Sequence, residues 1–244
     1  MNKLTYLKNN VFNQGKNHLY CDINFFKEID KRVHMKNKKV LDIGSGIGKH
    51  LILYNLIGKT KFCWGIDSAL GKGSTKNSLS TFQKTIQALN LKNIKTLEGD
   101  ILTYNFRDNK FDVITAINSV HHIIVTEKNM VKDRNTEKEF SNLFKKIANL
   151  LNERGAFVLY EISRFQITKS FKFYLKNGKS NEIDYKTKHS VKEYMTILKK
   201  CGFSQVYTKY YTPTNYLNKF KFLFTNPFVG FIINSPFFIF SIKN

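Results

Sequence analysis

The chain has 244 residues, with 40 Lys and Arg against 18 Asp and Glu, a formal net charge of +22. Its 42% hydrophobic content and 22 Phe exclude a disordered polyelectrolyte, and its length suits one domain with a modest appendage. Three Cys, at 21, 63 and 201, with no C-x-x-C pair, exclude a disulfide framework and a zinc ribbon and point to a reducing, cytoplasmic compartment.

Residues 1–20 carry Asn and Lys throughout and lack the apolar stretch of a secretory signal. An amphipathic helix is expected over 22–34, with Asp22 as N-cap and Ile23, Phe26, Ile29 and Val33 on one face. A short strand, Val40-Leu41, ends in Asp42-Ile43-Gly44, and a helix follows from Ile47 to Leu56. A second strand, Phe62 to Ile66, stops at Asp67. A helix over Ser74 to Leu89 leads to a third strand, Ile94 to Leu97, before Gly99-Asp100. The fourth strand, Phe111 to Ile117, runs into Asn118-Ser-Val-His-His122. Thr136 and Glu139 form a capping-box pattern for a helix with Phe140, Leu143, Phe144, Ile147, Leu150 and Leu151 on its apolar face. A fifth strand is expected over Ala156 to Ile162. A second capping box, Ser190 and Glu193, precedes a helix ending near Gly202, and a last strand region spans Phe203 to Tyr211. Strands alternating with helices predict a mainly parallel α/β sheet covered on both faces.

The apolar stretch 222–240 contains Asn226, Pro227, Gly230, Asn234 and Pro236, which break it too often for a membrane-crossing helix of about 20 residues. Asn226-Pro227-Phe228 also lacks the second proline of an N-P-P-F/Y motif and stands far from the fourth strand.

The strongest motif is VLDIGSGIG, residues 40–48, a strand passing through a glycine turn into a helix. Glycines there permit positive φ and close approach of a ligand, and the helix start offers N–H groups. The dinucleotide pattern G-x-G-x-x-G requires a glycine at Lys49, and a phosphate-binding P-loop requires one at Ile43, so both fail. What remains is Gly44, Gly46 and Gly48, followed by Asp67 at the end of the next strand, where an acid can accept both hydroxyls of a ribose. Asp100, after the third strand, is placed to accept from an adenine amino group.

These features resemble the class I S-adenosylmethionine-dependent methyltransferases. VLDIGSGIG matches their first motif, GIDSA (65–69) the second, EGDI (98–101) the third and FDVITAINSVHHI (111–123) the fourth, with GAFVLYEI (155–162) and SVKEYMTILKKCGF (190–203) in the expected order. The resemblance covers about residues 36–211 and implies a Rossmann-like, seven-stranded, mostly parallel sheet with one antiparallel strand. It implies an N-terminal helical cap over 1–35, the methyltransferase domain over 36–211 and an aromatic tail over 212–244 packed on the domain or at a surface. It also implies S-adenosyl-L-methionine as cofactor, with Gly44, Ser45, Gly46 and Gly48 along its aminocarboxypropyl group and Asp42 under its amino group. Asp67 and Ser68 would meet the ribose, Asp100 and Ile101 the adenine, and Asn118 the methyl-donor region.

Methyl transfer is an in-line displacement, so alignment of donor and acceptor carries much of the acceleration. Where a proton must leave the acceptor, His121 and His122 are the candidate general bases. Read as extended chain, only one of them can face the pocket, the other packing beneath it or facing solvent. His18-Leu19-Tyr20 is a candidate flap over the cofactor, Trp64 reads as core, and no His pair has metal-ligand spacing. The segment Ile162 to His189, rich in Phe and Lys, is the expected acceptor region. A small-molecule or lipid-like acceptor is expected, with peripheral membrane contact through the tail as an accessory role. An RNA acceptor, suggested by the charge, and a non-catalytic protein that kept the fold are the rivals.

Overall fold

The computed structural model describes residues 3–11, 16–69, 76–163, 187–211 and 236–244. Two helices, α1 (Lys3–Asn10) and α2 (Lys16–Val33), precede the alternating region. That region runs β1 (Lys39–Ile43), α3 (Lys49–Leu56), β2 (Phe62–Asp67), α4 (Lys76–Ala88), β3 (Ile94–Glu98), β4 (Phe111–Ile117), the one-turn α5 (Val120–Ile123), α6 (Arg134–Leu150), β5 (Leu151–Ile162), α7 (Val191–Lys200), β6 (Phe203–Tyr210) and β7 (Pro236–Lys243). Among the described residues the strands form one seven-stranded sheet in the order β3-β2-β1-β4-β5-β7-β6. β1 pairs in parallel with β2 and β4, and β2 with β3, while β7 is antiparallel to both β5 and β6.

This is the Rossmann-like, mostly parallel sheet with one antiparallel strand that the motifs imply, but the antiparallel strand is β7, drawn from the expected tail. Residues 236–243 lie between β5 and β6 rather than on the domain surface, so the expected boundary at 211 does not close the sheet. Residues 212–235, including Asn226-Pro227-Phe228, lie outside the described residues.

Side chains divide between the two sheet faces with period two, as strand geometry requires. Phe157 and Leu159 of β5 and Phe237 and Ile239 of β7 join α6 and α7 in one core. Ala156, Val158 and Tyr160, with Phe238 and Phe240, join α2, α3 and α4 in the other. The N-terminal helical segment expected over 1–35 packs directly on the sheet. Phe25, Phe26 and Ile29 of α2 are buried in the second core, and Phe25 meets Tyr160 edge to face at 4.8 Å. Polar contacts fasten the same helix: Lys49 pairs with Asp22 at 3.2 Å, Lys209 with Glu28, and Arg32 lies 4.1 Å over the Tyr207 ring.

Two caps differ in outcome. Ser190 and Glu193 form the expected reciprocal box at the start of α7. At α6 the cap is Asp133, whose side chain accepts the Thr136 N–H at 3.0 Å, three residues before the expected start. α2 begins at Lys16, so Asp22 is interior to the helix and Leu19-Tyr20 are helical rather than a flap; the His18 side chain lies outside the described set. Trp64 packs partly buried against the core, under Lys95 at 4.5 Å.

Candidate cofactor cleft

All parallel strands end at one edge of the sheet, and the turns after β1, β2, β3 and β4 meet there. In open α/β sheets this edge is where ligands bind, because backbone leaves the sheet there in diverging directions. A cleft of about 270 Å³ opens at this edge, lined by Gly44, Gly46, Asp67, Ser68, Asp100, Ile101, Asn118, Ser119 and His122, with Ile and Gly99 backbone between them.

The glycine turn after β1 is shaped by close approach. Gly44 has φ +72°, and a methyl group there would stand 2.4 Å from Ser119 Cβ; Gly48, also at +72°, would drive one into the Phe82 ring at 2.0 Å. The N–H groups of the turn are engaged within the protein. Gly44 and Ser45 donate to the Ile66 carbonyl at 2.8 and 3.2 Å, Gly46 to Asp67 Oδ2 at 2.8 Å and Gly48 to the Ser45 carbonyl at 2.8 Å. These four donors are therefore not free to a ligand. The turn offers proximity rather than a nest for phosphate, and the start of α3, Lys49 to Leu51, does not line the cleft.

Asp67 ends β2 and is buried. Its Oδ1 accepts the Ala69 N–H at 2.9 Å and its Oδ2 the Gly46 N–H, so each oxygen keeps a second lone pair, and the residue lines the cleft. Asp100 is exposed and steadied by the Leu102 N–H at 2.8 Å. Asn118 has φ +51°, follows β4 directly and donates its N–H to the Tyr160 carbonyl at 2.8 Å.

Asp42, Ser45, Gly48 and His121 are not among the lining residues. Asp42 lies beneath the floor, 2% exposed, and accepts the Thr115 hydroxyl at 2.5 Å. Burial above all pushes its carboxyl up to about 7; the Thr115 hydrogen bond opposes this, and the nearby Asp67 charge adds to it. The Ser45 hydroxyl turns toward Gly65, where a Cβ would be 2.7 Å away. His121 and His122 sit on the turn of α5 rather than on extended chain, so they diverge by about 100°. His122 faces the cleft and His121 is buried.

Sequence reasoning did not find Ser119. Its buried hydroxyl has no protein partner and lines the cleft beside Gly44. A buried polar atom without a partner asks for one, and a ligand with hydrogen-bonding groups would supply it. Nothing lies within 4 Å of where a Cβ on Gly46 would point. An orphaned hydroxyl, open space over a glycine and two carboxylates lining one cleft fit the implied cofactor. Among the described residues no group of three His, Cys, Asp or Glu side chains is placed to hold a metal ion, and no helix is long and apolar enough to cross a membrane.

No curated protein matches the sequence. Among solved structures, phosphoethanolamine N-methyltransferase 2 of Haemonchus contortus, bound to phosphomonomethylethanolamine and S-adenosylhomocysteine, superposes with a TM-score of 0.58 at 17% identity, covering 100% of this chain and 60% of that one. An S-adenosylmethionine-dependent methyltransferase of Clostridium acetobutylicum gives 0.58 at 15% identity, over 98% and 96% of the two chains. The chain thus spans 60% of the Haemonchus enzyme's length but nearly all of the Clostridium protein's. At these identities the likeness is one of fold. The family description "Methyltransferase domain" matches residues 34–219, from just before β1 to beyond β6. The chain belongs to that methyltransferase-domain family.

Proposed function

We propose that the protein transfers a methyl group from S-adenosylmethionine to a small-molecule acceptor at the carboxyl edge of the sheet. The observation that carries this is the single cleft in which the Gly44–Gly46 turn, Asp67, Asp100, the unpartnered Ser119 hydroxyl and His122 converge. When bound, S-adenosylmethionine supplies a methyl carbon activated by its sulfonium and open to in-line displacement.

Each part of the cleft then has a task. Asp67 accepts the ribose hydroxyls through the lone pairs left by Gly46 and Ala69. Asp100 accepts from the adenine amino group, with Ile101 against the ring. Ser119 satisfies its hydroxyl on the amino-acid end, beside the turn at Gly44. Asn118 and His122 border the reacting end, where His122 takes the acceptor's proton at an imidazole nitrogen as the new bond forms. Fixing donor and acceptor in line removes orientational freedom, worth up to about 7–11 kcal/mol in favourable cases.

A small acceptor is supported by the ligand reported with the Haemonchus structure. The segment 164–186 and the tail 212–235 lie outside the described residues and carry no argument for a lipid, membrane or RNA acceptor. Calorimetry with S-adenosylmethionine, followed by labelled methyl transfer to small-molecule extract, lipid extract and total RNA, tests the reading. Binding with label in the small-molecule fraction is expected. Absence of binding at millimolar cofactor overturns it, and label confined to lipid or RNA overturns the acceptor class.

A further inference from the structure

β5 outruns β4 at the carboxyl edge. Ile117 is the last residue of β4 and pairs with Tyr160, so the next residue of β5, Glu161, projects past β4 onto α5. Glu161 is 0% exposed. Its carboxylate is given over to two consecutive residues of α5: Oε1 accepts the Val120 N–H at 3.0 Å, and Oε2 lies 2.7 Å from His121 Nδ1.

This arrangement has a physical reason on each side. A carboxylate in the interior is costly unless strong donors meet it. The first N–H of a helix has no partner within the helix, and α5 has no side-chain cap at Ser119. A single turn cannot stabilise itself, because nucleation fixes several residues for one hydrogen bond. Glu161 therefore supplies what α5 lacks, from a strand about 40 residues away in sequence. His121, so gripped, lies under its neighbour: the His121 and His122 ring centroids are 4.0 Å apart at 44°. With Oε1 taking the Val120 N–H and Oε2 facing the ring, the pairing calls for the Nδ1-protonated tautomer of His121.

We infer that Glu161 is a positioning residue: by holding the Val120 N–H and His121 Nδ1 it fixes α5, and through the tilted ring contact it sets His122 against the cleft. Its importance for turnover rests on the reading of that cleft as a methyl-transfer site; the geometric role does not.

The experiment labels histidine nitrogens and compares the wild type with Glu161→Gln at neutral pH by NMR. The amide oxygen still meets the Val120 N–H, but the amide nitrogen presents a donor to His121. The His121 proton is expected to move from Nδ1 to Nε2, with the His122 resonances shifting while S-adenosylhomocysteine binding by calorimetry is retained. With the extract acceptor, kcat falls by about 10²-fold at unchanged KM for S-adenosylmethionine. His121→Asn provides the second variant, since its amide places a donor where Nδ1 stood. It is expected to retain far more activity than His121→Ala, and this comparison stands even where Glu161→Gln does not fold. Unaltered His121 tautomer and His122 resonances in Glu161→Gln, or equal activity of the two His121 variants, overturn the inference. A wild type that transfers no methyl group overturns the functional reading instead, and the NMR result still decides the positioning role.

Discussion

Gly44 and Ser119 meet across the floor of the cleft with room for a hydrogen but not a methyl group: a Cβ on Gly44 would lie 2.4 Å from Ser119 Cβ. This contact joins the turn after β1 to the turn after β4, the two segments that frame the site. Gly44→Ala therefore combines left-handed backbone strain of about 1–2 kcal/mol with a backbone-adjacent clash. It is expected to lower the melting temperature by several degrees and abolish S-adenosylhomocysteine binding. Gly46→Ala, at φ +52° with open space before it, is expected to keep the fold at a cost of about 1 kcal/mol and lose affinity because its methyl group enters the cleft. Thermal melts and calorimetry on the pair separate the two effects; wild-type affinity in Gly46→Ala would place the ligand elsewhere.

Asp67 serves two masters, the glycine turn and the proposed ribose. Asp67→Asn keeps one acceptor oxygen and removes the charge, so affinity for S-adenosylhomocysteine is expected to fall by about 1.5–3 kcal/mol, on the order of 10- to 100-fold. Undiminished affinity by calorimetry refutes the ribose assignment.

Asp42 should leave a signature in stability against pH. Its carboxyl titrates near 7 when folded against about 3.8 ordinarily, so between those values the native state holds more protons than the unfolded state. Stability from this group is present in full below about pH 4, declines as pH rises, and is gone above about pH 7, a loss of a few kcal/mol. Asp42→Asn keeps an acceptor for Thr115 and removes the ionisation. The difference between wild type and variant in urea midpoint is expected to grow in the variant's favour across that window. A difference flat with pH contradicts the burial argument. Glu193, held down to about 2 by His189, Ser190 and the Met130 N–H despite its burial, acts in the opposite sense at lower pH and cancels in the comparison.

His122 faces the cleft where His121 does not, so the two respond differently to truncation. His122→Ala is expected to lower kcat by about 10²–10⁴-fold, as loss of a general base does, with cofactor affinity retained. Equal kcat in His122→Ala and wild type would show that the acceptor arrives already deprotonated or loses its proton to water.

The cofactor half of the cleft was legible because its signals are local. Gly44, Gly46, Asp67 and Asp100 each stand at the end of a recognisable strand, and the topology alone brings strand ends together. β7 was not legible as a strand of the sheet, because PFFIFSIK has no polar alternation to mark a strand buried on both faces. Asp133 was passed over for the Thr136–Glu139 pattern, which satisfies the same spacing rule a turn later. His121 and His122 were read as extended, and one turn of helix changed which of them faces the ligand. Glu161 carries no local mark at all; only the register of β4 against β5 brings it to α5.

The placement of β7 has a consequence for how the chain is made. On the ribosome, β5 emerges with its outer edge unsatisfied and must wait until residues 236–243 are synthesised before its partner arrives. During that interval an apolar strand with open hydrogen-bonding groups is exposed to the cell, the condition under which chains pair with each other instead of with themselves. Closure of the sheet between β5 and β6 therefore waits on residues 236–243.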